Sequence, residues 1–360
     1  MSRDIYLEST PLDEALRKWL EKLEFEGVSK PLPGETVRVI DSLGRVTAEA
    51  VIAKISSPFY HSSAMDGYAV KFPETFGASE RTPKRLSIGA QALPVDTGDP
   101  IPDGFNAVIM IEDVQIRKSQ QSPVDSRSGD SQDAAQTTTS MQEAEYIEII
   151  APATPWQHVR VIGEDIVATE LIVPENHVIR PVDIGALLAG GHTEVQVRVR
   201  PRIVIVPTGT EIIEPGSDLK KGDIIEYNSR ILSGLVTEWG GDPVRFGIVP
   251  DNLGELKKSI LHAVDAGDIV VINAGSSAGS EDYTAAAIRE LGEVILHGVG
   301  IKPGKPVILG WVRGKPVLGI PGYPVSAYIT FTLFVRPLIY KLQGLEFKEP
   351  DTLKAMISRQ

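Results

Sequence analysis

Residues 268–284, DIVVINAGSSAGSEDYT, decide how this chain folds. The apolar run Ile269 to Ile272 reads as a buried strand. Seven small residues follow it, Ala274 to Ser280, among them two glycines and three serines, and Glu281 and Asp282 then open a helical pattern. A strand that leaves the sheet through small residues into an acidic helix start is a βα unit. Its turn allows a ligand to approach the backbone closely, at a helix N-terminus that favours anions.

The same alternation extends in both directions. RIVIV (202–206) reads as a second buried strand, followed by NSRILSGLVTEWGG, a helix with Asn228 as N-cap, Ile231, Leu232, Leu235 and Trp239 on its apolar face, and Gly240 as its stop. Then come the strand VRFGIV, the amphipathic LGELKKSILHAVDAG, and DIVVIN. A helix from about Asp282 to Leu291 is followed by the strand EVILHGV, the hairpin-like PVILGWVRGKPVLGI and a long helix from Pro324 to about Lys341. Short apolar runs separated by helical patterns predict parallel βαβ units and a doubly wound α/β sheet over 201–345, with ligands bound outside the carboxyl ends of the strands.

The first half of the chain has a different texture. PLDEALRKWLEKL is an amphipathic helix with Thr10 as cap, Pro11 at its first position, and Leu12, Leu16, Trp19, Leu20 and Leu23 as the buried stripe. From 55 to 165 the pattern is strand-like, through DGYAVKF, RLSIGA, NAVIMIEDVQI, YIEII and HVRVIG. The span 118–145 between two of these strands is polar and poor in large apolar groups, which predicts a disordered hairpin tip. PVDIGALLAGGHTEVQVRVRP then gives a short helix, a glycine stop and a strand. The expected organisation is therefore an N-terminal helical and linker region in two pieces, 1–54 and 166–200, with a β-rich domain inserted at 55–165 ahead of the α/β domain.

Composition limits what such a protein can do. With 360 residues the chain can hold two or three domains. A net charge of −12 argues against non-specific nucleic-acid binding, and no apolar run reaches the ~18 residues of a membrane span. MSRDIYLEST lacks the apolar core of a signal peptide, so a cytoplasmic location is expected. Without cysteine, any metal must sit on oxygen or imidazole.

Four strand ends of the α/β domain carry candidate chemistry. PTGTEI offers backbone amides with Thr208, Gly209, Thr210 and Glu211; VPDN offers Asp251; NAGSSAGSED offers Gly275, Ser276, Ser277 and Asp282; and GIPGYPVSA offers Pro321, Gly322, Pro324 and Ser326 at a helix start. IKPGKP adds Lys302 and Lys305 across a Pro-Gly turn, where both can face one anion. Carboxylates beside lysines in one cleft suggest Mg²⁺ with a phosphate-bearing substrate. In the β-rich part, HSSAMDGYAV places Asp66 in a turn and VIGEDI places Glu164 and Asp165 after a glycine.

SSAMDGYAV, TGDPIPDGFNAVIMIEDV, VIGEDI, RPRIVIVPTGTEI, NAGSSAGSEDYT, GIKPGKPVILG and GIPGYPVSA stand in the order and spacing of the MoeA/gephyrin-E family, the molybdopterin molybdenumtransferases, which the chain resembles from about residue 10 to 345. The resemblance implies an elongated multidomain MoeA-like fold containing a MogA-like α/β domain. It implies a homodimer in which the α/β domain of one subunit faces the β-rich domain of the other, so that sites lie between subunits. The implied reaction is insertion of molybdate or tungstate into the dithiolene of adenylylated molybdopterin, with release of AMP in a Mg²⁺-dependent step.

Carried onto this sequence, the family pattern marks Asp66, Asp165, Glu211, Asp251 and Asp282 as catalytic, with Asp282 and Asp251 as Mg²⁺ ligands. It marks Thr97, Thr208, Gly209, Gly275, Ser276, Ser277, Lys302, Lys305, Pro321, Gly322, Pro324 and Ser326 as substrate-binding. Lysines and loop amides would hold phosphates and the oxyanion, and Ser326 would suit molybdate. Two features depart from the family. NAGSSAG stands where many members have GGVSVG, and Gly298 stands where a lysine is common. The stretch 346–360 reads as the start of a missing or truncated C-terminal β domain. Two other activities fit the same resemblance: a MogA-like molybdopterin adenylyltransferase, which could otherwise be a partner, and a non-catalytic gephyrin-like scaffold. Residues 1–200 argue against the first and the retained carboxylates against the second.

Overall fold

The computed structural model describes residues 9–28, 30–118, 145–273 and 280–348, and of Ser280, Glu281 and Asp282 the backbone alone. The chain forms two units, one of residues 1–51, 173–184 and 193–360, the other of 52–172 and 185–192.

The larger unit is built on a six-stranded sheet. Its elements, in chain order, are α1 (Leu12–Phe25), β1 (Arg202–Pro207), α2 (Asn228–Glu238), β2 (Asp242–Arg245), α3 (Leu253–Ala266), β3 (Ile269–Asn273), α4 (Ser280–Leu291), β4 (Glu293–His297), β5 (Ile308–Val312), β6 (Lys315–Ile320), α5 (Pro324–Phe334) and α6 (Arg336–Leu342). The strand order is β2-β1-β3-β6-β5-β4. The first four strands of that order are parallel, while β5 runs antiparallel to both neighbours. The doubly wound reading thus holds for the half that carries the site, and the hairpin after β4 turns the other edge antiparallel.

Both faces of the sheet are covered, which is why its strands are apolar throughout rather than alternating. On one face Ile203, Ile205, Ile269, Val271 and Leu318 pack against Trp19, Leu232 and Phe331 of the helices; on the other Val204, Val206, Val270 and Ile272 meet Leu256, Ile260 and Ile288. α1 belongs to the first of these layers. Its Ala15, Trp19 and Leu23 are buried, and Trp19 Nε1 donates to the Phe334 carbonyl at 3.3 Å. The expected cap Thr10 instead bridges to Val299, and Pro11 takes the cap position. The expected long C-terminal helix breaks at Val335 because Pro337, lacking an N–H, cannot continue the hydrogen-bond ladder. Among the described residues no helix is long and apolar enough to cross a membrane.

The smaller unit is β-rich. Gly67–Val70 lies between Ala92–Val95 and Ala107–Met110, and Glu145–Ile149 lies between Lys84–Ser87 and Val114–Lys118, all antiparallel. Tyr68, Val70 and Ile109 of the first sheet share a core with Leu86, Ile147 and Ile149 of the second. Lys118 and Glu145 are paired strand residues, so the two ends of the expected polar tip belong to the ladder; residues 119–144 lie outside the described ones.

Candidate functional site

The parallel strands bring their carboxyl ends to one edge. After β1, Thr208 bridges parallel to Val249, and its N–H donates to the Asn273 carbonyl at 2.9 Å at the end of β3. Gly209 N–H then reaches the Val249 carbonyl at 3.1 Å, and Thr210 N–H reaches Asp251 Oδ2 at 3.3 Å, while Asp251 N–H faces Thr210 Oγ1 at 3.5 Å. These bonds tie turn 208–211 to turn 249–252. Glu211 folds back over Gly209, so that its Oε2 lies 3.3 Å from where a Cβ would stand. Two of the expected carboxylates, Glu211 and Asp251, therefore occupy neighbouring turns. Asn252 does not join them; it caps α3, accepting from Gly254 and Glu255.

A second set of bonds joins β3 to the turn after β6. Asn273 is buried, and its Nδ2 donates to the Pro321 carbonyl at 3.0 Å. Its Oδ1 accepts from Asn228 Nδ2 at 3.1 Å, and the same nitrogen donates to the Gly322 carbonyl at 2.6 Å. Asn228 was expected to cap α2. That role belongs to Glu226, whose carboxylate accepts from Ser229 N–H and Ser229 Oγ, both at 2.7 Å. Glu226 is buried and also paired with Arg230, which in turn meets Glu214 at 2.6 Å. With the cap supplied, the Asn228 amide is free to turn toward the strand ends.

The ends of β1 and β3, Ile212, residues 224–228 and Gly322 line a small open cleft, which neither Glu211 nor Asp251 lines. Pro207, Ile212, Ile224 and Ile225 give it apolar walls; Thr208, Glu226, Tyr227, Asn228 and Asn273 are its polar lining residues. It sits where strand order reverses, since β1 leads to β2 on one side and to β3 on the other.

The remaining expectations divide. Pro321 and Gly322 form the turn tied to Asn228 and Asn273, and Pro324 opens α5. Ser326 is buried in the first turn of α5, where its carbonyl accepts from Thr330 Oγ1. Lys302 and Lys305 are exposed on a turn that does not line the cleft. That turn abuts α5, because Gly304 packs so closely that a Cβ would stand 2.8 Å from the Thr330 methyl. Gly298 is buried with φ of +99°, a backbone that a lysine would adopt only under strain. Gly275, Ser276 and Ser277 lie outside the described residues, as does the side chain of Asp282, whose backbone is in the first turn of α4. Among the described residues no three His, Asp or Glu side chains converge on a metal-sized point.

In the β-rich unit Asp66 and Thr97 are brought together. Asp66 Oδ1 accepts from the Thr97 N–H at 2.7 Å and from its hydroxyl at 2.8 Å. The backbone donor, then the hydroxyl, hold the Asp66 carboxyl below the ordinary carboxylate range. Asp165 is held differently, with both oxygens 2.9 Å from Arg160 Nη2. Arg160 pairs with Ser62 on the short strand that leads into the Asp66 turn, so both carboxylates hang on one framework. Sequence reading passed over Arg160, Asn273 and Glu226 as ligand-ordering groups; the available signal was a polar residue at each strand or helix end.

Comparison with known proteins divides the chain near residue 200. Residues 10–191 match the model of the MoeA N-terminal region (domain I and II), and 204–341 match that of a probable molybdopterin binding domain. A molybdopterin molybdenumtransferase from Haemophilus influenzae is 30% identical over 356 residues, 96% of this chain and 81% of its own length. Another from a Nostoc species is 31% identical, covering 84% of this chain and 68% of its own. The crystal structure of a molybdopterin biosynthesis MoeA protein from a Pyrococcus species aligns with a TM-score of 0.75 at 34% identity, over 94% of this chain and 81% of that one.

Proposed function

The chain belongs to the MoeA family and acts as a transferase in molybdenum cofactor biosynthesis; we propose as its reaction the insertion of molybdate into the dithiolene of adenylylated molybdopterin, with release of AMP. The observation that carries the reading is the convergence of the turns 208–211, 249–252 and 321–323 at the switch point of the parallel sheet.

Roles for the chain's own groups follow from their chemistry. The apolar cleft excludes water from the bound substrate. Glu211 and Asp251 present hard oxygens on two adjoining turns, a donor set that suits a Mg²⁺ completed by substrate phosphate, and Asp282 is a third candidate ligand. Bound there, Mg²⁺ would neutralise phosphate charge. Lys302 and Lys305 serve as flexible cations for the phosphates or the entering oxyanion, with Ser326 in the adjacent helix start. Asp66, ordered by Thr97, and Asp165, ordered by Arg160, position the water that cleaves the phosphoanhydride.

Several finer elements belong to this proposal. The protein is a cytoplasmic homodimer in which a second subunit supplies Asp66 and Asp165, and a MogA-like adenylyltransferase provides its substrate. The oxyanion is molybdate or tungstate. The decisive assay follows AMP release from adenylylated molybdopterin with molybdate, with tungstate and with neither, with Mg²⁺ present or chelated. Oxyanion-dependent AMP release supports the reading. Pyrophosphate release from ATP and molybdopterin, without oxyanion-dependent AMP release, would instead identify an adenylyltransferase.

A further inference from the structure

Of the four tryptophans, Trp156 alone is left half-exposed by the fold, at 47%; Trp19, Trp239 and Trp311 are buried. Its backbone lies in the left-handed region, with φ of +61°, where a bulky side chain is a genuine outlier and glycine or asparagine the ordinary occupant. The turn is held in that shape from several sides. Trp156 N–H donates to the Asn106 carbonyl at 2.8 Å, the Gln157 carbonyl accepts from Val108 at 2.9 Å, and the His158 carbonyl accepts from Ala64, in the Asp66 turn, at 2.9 Å. The indole belongs neither to the core around Leu86 and Ile147 nor to the one around Ala69 and Val108. A strained residue persists only where its surroundings over-determine it, and such residues gather at ligand-binding sites.

The ring is placed beside the two ordered carboxylates. The His61 ring packs against it, with centroids 4.8 Å apart and planes tilted by 40°, and Ile162 N–H donates to His61 Nδ1 at 3.2 Å. Ile162 stands between Arg160 and Asp165 in the chain, and Ser62, next to His61, is the strand partner of Arg160. Direct contacts therefore run from Trp156 to the Asp66 turn through His158 and Ala64, and to the Asp165 arm through His61 and Ile162. A fixed, half-open aromatic ring beside groups that act on a phosphoanhydride suits stacking with a flat heterocycle. We propose that Trp156 is the stacking platform for the adenine ring of the adenylylated substrate, a specificity-determining residue in the β-rich unit. This rests on the transferase reading above, which puts phosphoanhydride cleavage at Asp66 and Asp165. Adenine is favoured over the pterin because residues 204–341, in the other unit, are the ones that match a molybdopterin binding domain, which leaves the nucleotide half of the substrate for the β-rich unit.

The test uses the full-length protein with AMP as the probe. Because the other three tryptophans are buried, AMP should quench the fluorescence of the exposed one, and ribose 5-phosphate, which lacks the ring, should not. Trp156→Gly removes the indole and suits the left-handed backbone, so it should melt at or above the wild-type temperature while binding AMP about tenfold more weakly by calorimetry, with Trp156→Phe in between. With adenylylated molybdopterin, Trp156→Gly should raise KM about tenfold and leave kcat little changed. AMP that leaves the fluorescence unmoved, equal quenching by ribose 5-phosphate, quenching by pterin but not by AMP, or a Trp156→Gly protein that binds AMP like wild type would overturn the proposal. The first three comparisons are made on wild-type protein and so survive a poorly folding variant. The transferase reading is tested separately by wild-type AMP release. Oxyanion-dependent release without quenching by AMP would sink the platform alone, and quenching without release would sink the transferase reading alone.

Discussion

The two regions that carry candidate carboxylates hold them in opposite ways. In the β-rich unit Asp66 and Asp165 are each engaged by two short bonds from partners 31 and 5 residues away, and Asp66 titrates below the ordinary range as a result. At the sheet edge, among the described residues, Asp251 meets a single backbone N–H at 3.3 Å. One region fixes its acceptors in advance, as suits groups that orient water; the other leaves its acceptors available, as suits groups that meet a ligand.

The largest expected effect tests the open side. Asp251→Asn keeps the shape and an acceptor for Thr210 but loses the charge, so AMP release should fall by about 100-fold while the melting temperature stays near wild type. A variant that keeps its turnover at limiting Mg²⁺ would place Asp251 outside the chemistry.

On the closed side the ordering partner should matter less than the carboxylate itself. Arg160→Leu leaves Asp165 charged but unheld, and turnover should drop by about tenfold with little change in KM for the oxyanion. Equal losses from Arg160→Leu and Asp165→Asn would mean that the pair acts as a unit.

Thr97→Val is a finer probe, since it keeps the N–H that dominates the Asp66 shift and removes only the hydroxyl. The carboxylate form of Asp66 is then less favoured. Its pKa rises toward the ordinary value, so the acid limb of the pH–rate profile should move to higher pH, with turnover at neutral pH reduced by only about threefold. An unmoved acid limb would show that another group sets it.

The smallest effect on turnover serves as a control. Asp183 resembles Asp66 in being held by several donors, here Arg180, whose guanidinium lowers its pKa most, and His177 at 2.7 Å. It lies outside the proposed site. Its folded pKa is lowered, so its stabilisation is complete above the ordinary carboxylate range and is lost as pH falls below about 4 toward the folded value. Asp183→Asn should cost about 1 kcal/mol of stability at pH 7 and flatten the acid limb of the stability curve, with AMP release unchanged. A change in AMP release would make the comparison one of ordered carboxylates in general rather than of sites.

Local pattern was enough to locate most of the scaffold. The apolar runs at 202–206 and 269–272, the amphipathic helices between them and the ligand-bearing strand ends depend on spacing within a few residues, and so they are written directly in the chain. Family motifs added Asp66 and Thr97 to the candidates. The break at Pro337 also has a local cause, although the periodic pattern concealed it. What each site residue does was decided by tertiary contacts. Asn228 looks like a helix cap in sequence, yet Glu226 takes the cap, and Asn228 is drawn to Asn273 and Gly322, 45 and 94 residues away. Thr97 reaches Asp66 across 31 residues, and Pro321 meets the end of β3 only because β6 pairs beside it. Periodicity reports which face of an element is buried; a hydrogen bond between two strand ends depends on which strands become neighbours, and that is settled only when the sheet assembles.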